Sequence, residues 1–214
     1  MLVEAVVLDV GETLVDETEV WGTWADAVGV SRLTFFAALG ATISSGAGDH
    51  RRVFGVVRPG LTFAEAARSR GTGEVGFTER DLYPDAAPAL HALHRAGFQV
   101  GIAANQPPAA APTLERCGLD YDWLLISALE RVAKPDPAFF ALVARRAGLP
   151  PSRIAYVGDR LDNDVAPATA AGLQAIHLRR GPWGVVQASA RTATPVSTQV
   201  HSLVELVNLL TGER

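Results

Sequence analysis

The sequence predicts an α/β protein: a parallel sheet covered on both faces by helices, with a small, mainly helical insert. Three observations lead there. Short apolar runs recur along the chain, each bounded by turn residues and each the length of a buried strand. Helically spaced segments lie between the later runs, and such alternation marks parallel strands joined by crossovers. Acidic or amide residues follow directly after several runs, and open α/β sheets gather their chemistry outside the carboxyl ends of their strands.

In chain order, residues 2–8, 98–104, 123–127, 154–157 and 175–178 read as strands. Residues 86–96, 109–117, 137–147, 164–171 and 202–210 read as helices, and Phe139, Leu142 and Val143 share one face of the third. Between 16 and 82 the alternation stops. Trp21, Trp24, Val28, Leu33, Phe36, Leu39 and Ile43 keep helical spacing, broken by Gly46–Gly48 and by Arg58-Pro59-Gly60. The expected division is therefore an α/β core at 1–15 and 83–214 and a helical insert at 16–82. Trp21 and Trp24, three apart on one stripe, read as the core of that insert. Residues 187–198 are rich in Ser, Thr and Ala without a period and read as a surface connection.

Composition narrows the function classes. With 214 residues, 48% of them hydrophobic, the chain can bury a core without staples. A net charge of −4 gives no support to nucleic-acid binding. No apolar run approaches the ~20 residues of a membrane helix, so no membrane partner is expected. The N-terminus meets acids at once and has no basic stretch, so it does not read as a signal peptide. The single cysteine, Cys117, allows no intrachain disulfide and reads as a small buried residue, consistent with a cytoplasmic setting. Oligomeric state is not legible.

Three sites stand out. Asp9 ends the run Val6-Val7-Leu8 in "VVLDVGETLV", the place for a nucleophile, although an Asp there also serves turns and caps. Lys134, in "AKPDPAFF", is the only lysine in a chain that otherwise uses arginine, which points to a compact charge retained for a purpose. "IAYVGDRLDND" crowds Asp159, Asp162 and Asp164 after a strand. Crowded carboxylates repel unless a cation lies between them, and Mg²⁺ is the expected hard-oxygen ion. Acids also suit a helix N-terminus, which accounts for Asp162 and Asp164 better than for Asp159. If their strands are neighbours, Asp9, Asn105 and Asp159 share one crevice.

At these residues the chain resembles the haloacid dehalogenase superfamily. "LDVGETLV" is similar to its first motif, DxDxT. "GIAANQ" lies where the second motif ends a strand in Ser or Thr. "AKPDPAFF" looks like the third, and "VGDRLDND" matches the fourth, GDxxxxD. The likeness runs through the whole core. It implies a Rossmann-like core, a helical cap at 16–82, Mg²⁺, and phosphate-ester hydrolysis through an aspartyl-phosphate. Carried over, Asp9 is the nucleophile. Asp9, the Gly11 carbonyl and Asp159 hold Mg²⁺, with Asp164 supporting it through water. Lys134 neutralises the nucleophile and the phosphoryl group, Thr13 bonds within the nucleophile loop, and a small phosphorylated molecule is the expected partner.

Two positions depart from the pattern. Gly11 stands where the family's phosphatases carry a second Asp for general acid–base catalysis, an effect of ~10²–10⁴-fold. Ala104 replaces the hydroxyl of motif two, although Asn105 can add a donor. Slowed hydrolysis is therefore expected. Glu12, one residue past the missing acid, should point elsewhere, and a cap acid is the other conceivable substitute. The superfamily's dehalogenases also lack the second Asp, but their fourth motif differs. Its phosphonatases need a cap lysine, and Lys134 is the only lysine here. The expectations in order are a Mg²⁺-dependent phosphatase, then a catalytically impaired ligand- or partner-binding relative, then a 2-haloacid dehalogenase. His91 and His94 read as an exposed helix face. Arg51, Arg52 and Arg58 read as solvated or as anion contacts from the cap, and Trp183 in "RRGPWG" as packing or pocket border.

Overall fold

The computed structural model describes residues 3–46, 49–70, 76–189 and 198–212. Six strands form one sheet: β1 (Ala5–Leu8), β2 (Gln99–Ala104), β3 (Trp123–Ile126), β4 (Ile154–Gly158), β5 (Gln174–Leu178) and β6 (Gln199–Val200). Their order is β3-β2-β1-β4-β5-β6, and every pairing is parallel. Five of the six match the apolar runs. The sixth was not expected: two residues are too few to show a period, and β6 falls at the end of the segment read as a surface connection. Residues 190–197 of that segment lie outside the described residues.

β1 is wholly buried because it lies in mid-sheet, between β2 and β4. Its pleat divides it between two cores. Val6 and Leu8 pack with Leu90 and Leu93, Leu114, and Leu203 and Leu206. These come from helices α5 (Ala86–Arg95), α6 (Ala110–Arg116) and α11 (Leu203–Thr211). Ala5 and Val7 face the other way, onto Phe139, Phe140 and Val143 of α8 (Pro137–Ala147) and Ala168 of α9 (Ala166–Ala170). Each large aliphatic or aromatic side chain so buried contributes ~1.5–3 kcal/mol. α8 starts as its sequence dictates: Asp136 caps the Ala138 N–H at 2.8 Å, Pro137 opens the helix, and Gly148 ends it with a positive φ of 68°.

The register of β2 on β3 sets Gly101 beside Trp123. A Cβ at Gly101 would collide with the indole ring. Gly101→Ala should therefore destabilise the fold by about 1–3 kcal/mol, read as a lower urea midpoint at unchanged slope. An unchanged midpoint would show that the ring moves aside freely.

Between β1 and α5 the described residues form four α-helices: α1 (Thr18–Ala27), α2 (Arg32–Ser44), α3 (Val53–Val57) and α4 (Phe63–Arg70). They share an apolar cluster of their own, built on Val28, Phe35, Leu39, Val53 and Phe54. The chain leaving and the chain returning run side by side: Asp16 N–H donates to the Asp81 carbonyl (2.8 Å) and Tyr83 N–H to the Leu14 carbonyl (2.9 Å). Trp24 packs edge-on against Phe54 at 5.2 Å, as its stripe predicts. Trp21 instead turns toward Trp183 of α10 (Gly181–Ser189), which joins the same cluster. Among the described residues no single helix is long and apolar enough to cross a membrane.

Candidate active site

The order in which the chain adds strands reverses where β1 meets β4, so a crevice opens beyond their carboxyl ends. Asp9 and Asp159 stand on its two sides, one residue past each strand. Asp9 N–H donates to the Val157 carbonyl at 2.9 Å, and the N–H groups of Thr13, Leu14 and Val15 converge on the Val10 carbonyl. The chain after Asp9 is thus a compact, fixed turn.

Lys134 enters from the loop before α8 and is only 4% exposed. Its Nζ lies 2.8 Å from Asp9 Oδ1 and 2.5 Å from Asp164 Oδ1. Asn105, past β2, clamps this loop: its Nδ2 donates to the Lys134 carbonyl and its Oδ1 accepts from the Lys134 N–H, both at 2.8 Å. Asp164 sits in a single wide π turn, Leu161–Val165, which turns it inward while Asp162 stays exposed. Its second oxygen accepts from the Arg160 N–H at 3.0 Å. Asp159 is 2% exposed, and its Oδ2 has no hydrogen-bond partner. Carboxylate oxygens of Asp9, Asp159 and Asp164 lie within 4.8 Å of one another.

Three buried carboxylates thus lie together, two of them paired with one ammonium group, and the charges respond accordingly. Burial, then Asp164 and Asp9, push the Asp159 carboxyl well above the usual carboxylate range. Burial also raises Asp164, to about 6, against the pull of Lys134. Burial disfavours the Lys134 charge, yet Asp164 and Asp9 hold its pKa above the ordinary lysine value. The cluster carries more negative charge than it can balance alone, and an unpartnered oxygen faces it. That fits a hard divalent cation.

Above the cluster is a cavity of about 360 Å³, lined by core residues and by residues of the helical segment. Glu12 lies in the left-handed region at φ 53°. It is held there by Tyr83, whose hydroxyl donates to Oε2 at 2.6 Å, and by the Glu17 N–H, which donates to Oε1 at 3.1 Å. Burial raises the Glu12 carboxyl. Glu17, just before α1, accepts at Oε2 from the Trp21 indole N–H at 3.2 Å. Burial and the neighbouring Glu12 and Asp9 charges push Glu17 up to about 7.

His50 completes the aromatic wall, edge-on to both Trp21 and Trp183 at 5.5 Å. Burial, then the Arg160 charge, lower its pKa from 6.5 to about 4, against Asp49 and Asp162. A neutral His50 is thus favoured in the fold. Its contribution is present above pH ~6.5 and is lost as pH falls toward 4, up to about 3 kcal/mol in all. Wild type should accordingly lose melting temperature faster than His50→Gln between pH 6.5 and 4. Parallel curves would contradict this.

Several site residues make contacts that the sequence does not spell out. Thr13 bonds within the loop through its N–H, which donates to the Val10 carbonyl at 3.2 Å; its hydroxyl is buried without a partner, and its carbonyl accepts from Arg180 at 3.0 Å. The Asn105 amide serves the Lys134 backbone first. Asp164 bonds Lys134 directly, and Asp162 pairs with Arg160 at 2.7 Å instead of joining the cluster. His91 and His94 face Asp120 and Asp122, as an exposed surface does. Arg51 and Trp183 do line the cavity. Sequence reasoning passed over Glu17, His50, Tyr83 and His177; the last holds the Asp159 carbonyl with Nε2 at 2.9 Å. No spacing rule marks them, since tertiary contact alone brings them in.

Fold and site together define an α/β protein with an acid-and-lysine centre at the switch point of its sheet. The chain belongs to the haloacid dehalogenase-like hydrolases, whose family model matches residues 3–172. It is 34% identical over 172 residues to a phosphoserine phosphatase of Thermus thermophilus, covering 74% of this chain and 68% of that one. A glyceraldehyde 3-phosphate phosphatase of Methanopyrus kandleri is 36% identical over 104 residues, 47% of this chain and 45% of that one. The chain thus spans under half the length of this second relative. Among solved structures, the L-2-haloacid dehalogenase of Xanthobacter autotrophicus superposes with a TM-score of 0.70 at 21% identity, over 99% of this chain and 100% of that one. That likeness is one of fold.

Proposed function

We propose that this chain is a Mg²⁺-dependent phosphatase acting on a small phosphorylated metabolite through an aspartyl-phosphate at Asp9. One observation carries the reading: Asp9, Asp159 and Asp164 cluster together, Asp9 and Asp164 share a single buried lysine, and an Asp159 oxygen is left unpartnered. Asp9, the Gly11 carbonyl and Asp159 are the residues that would hold Mg²⁺, with Asp164 behind them. Bound there, the ion supplies charge neutralisation for a phosphoryl group.

The chain's own residues do the rest. Asp9 presents a carboxylate oxygen from a fixed turn. Lys134 neutralises Asp9 in the resting site and a phosphoryl oxygen in the loaded one. Asn105 and Asp164 keep that ammonium aimed at the nucleophile, since a misplaced charge stabilises little. Residues 16–82 act as a cap, with Trp21, His50 and Arg51 closing the cavity against water. A site of about 360 Å³ suits a small ligand. The phosphatase relatives support this class of substrate. The second reading, a relative that binds ligand without turnover, rests on Gly11 and Ala104.

The test is phosphate release from alkyl and activated aryl phosphomonoesters, with and without Mg²⁺. Release that requires the ion is expected. No release from any ester in either condition would leave the binding reading in its place.

A further inference from the structure

The site lacks an acid at position 11, yet it does not lack an acid. A Cβ built on Gly11 would lie 2.5 Å from Glu17 Oε1 and 2.9 Å from its Cδ. The Glu17 carboxyl therefore occupies the space that a side chain at position 11 would enter. It belongs to the same cavity as Asp9, Lys134 and Asp159. Its position is fixed at both ends. The Glu17 N–H donates to Glu12, and Oε2 accepts from the Trp21 indole, which packs on Trp183 at 5.8 Å. Among the described residues Oε1 makes no hydrogen bond and pairs with no cation. Glu12 is ruled out of the same role by its bonds to Tyr83 and to Glu17.

We propose that Glu17 is the general acid and base of this site, supplied from the start of the helical segment instead of from the nucleophile loop. The inference rests on the phosphatase reading. When Asp9 attacks phosphorus and the ester P–O bond breaks, the Glu17 carboxyl gives its proton to the departing oxygen, and the alcohol leaves. Glu17, now a carboxylate, takes a proton from a water whose oxygen attacks the phosphorus of the aspartyl-phosphate. The P–O bond to Asp9 breaks, inorganic phosphate leaves, and both residues return to their starting state. Glycine at 11 has a reason in this scheme: any larger residue would displace the Glu17 carboxyl. Because Glu17 stands on the segment that covers the site, the acid is delivered together with the cover.

The experiment compares wild type, Glu17→Gln and the double variant Gly11→Asp/Glu17→Ala on two Mg²⁺-supplemented substrates, glycerol 3-phosphate and 4-nitrophenyl phosphate. Glu17→Gln keeps an acceptor for Trp21 and loses the transferable proton. Its turnover of the alkyl ester should fall about 10²–10⁴-fold. With the aryl ester, whose leaving group needs no proton, it should release a stoichiometric burst of nitrophenolate and then stall. Acid quenching should trap the phosphoryl group on Asp9. The double variant should regain alkyl-ester turnover, because an acid returns to the same space from position 11. Undiminished alkyl turnover in Glu17→Gln overturns the proposal. So does equal loss on both esters with no burst. If wild type itself hydrolyses neither ester and forms no phosphoenzyme, the phosphatase reading fails, and this inference falls with it.

Discussion

Asp9→Asn is expected to abolish Mg²⁺-dependent phosphate release, by at least about four orders of magnitude, while leaving the protein folded. An amide in the same place cannot act as the nucleophile, and removing the covalent partner removes the route itself. The fold should not suffer. Asp9 is one of three carboxylates that repel each other around Lys134, and Lys134 keeps Asp164 at 2.5 Å as its partner. The melting temperature of the variant, measured without Mg²⁺, should equal or exceed that of wild type. Phosphate release is the second measurement. Residual release within tenfold of wild type would mean that Asp9 is not the nucleophile.

Lys134→Met is expected to have the opposite balance, with heavy losses in both stability and activity. Met has similar length and no charge, so it strands Asp9 and Asp164 in a buried site. Breaking a buried pair by removing one partner costs about 3–5 kcal/mol. The sign of the pH dependence follows. The stranded carboxylates gain a higher pKa in the folded state than in the unfolded chain, so the fold binds more protons. The deficit should therefore shrink as pH falls toward the carboxylate range and grow as pH rises above it. Urea midpoints at pH 5 and pH 8 measure this. A deficit that is the same at both would show that lost packing, not stranded charge, is the cause. Activity should drop by at least about 10²-fold, the usual effect of removing one group that stabilises a developing charge.

Much of this molecule is legible in its sequence, and the legible parts share a physical reason. Residues 5–8 and 154–158 are buried on both faces, so their strands appear as unbroken apolar runs. Asp9 and Asp159 follow them directly, so their shared crevice follows from parallel pairing alone. Lys134 stands out by being unique. What was hidden depends on contacts across the fold. The sixth strand, Gln199–Val200, is too short to show a period. The GDxxxxD spacing marks Asp164 over Asp162, but the π turn at Leu161–Val165 that makes Asp164 a direct partner of Lys134 is not written in it. Thr13 was expected to bond within its loop, and it does so through its backbone N–H, while its hydroxyl has no partner. Trp21 has the spacing of a core residue and does pack, but one edge of it holds Glu17. The vacancy at Gly11 is visible in sequence. The carboxyl that fills it comes from six residues further on, by way of a turn whose shape no local pattern states.

The measurement that bears most directly on the central claim is the mass of the peptide containing Asp9 after brief incubation with 4-nitrophenyl phosphate and Mg²⁺ and an acid quench. The account predicts the added mass of one phosphoryl group on that peptide, absent without Mg²⁺ and absent in Asp9→Asn. Nitrophenolate release with no modified Asp9 peptide at any quench time, or a phosphoryl group found on another residue, would contradict it.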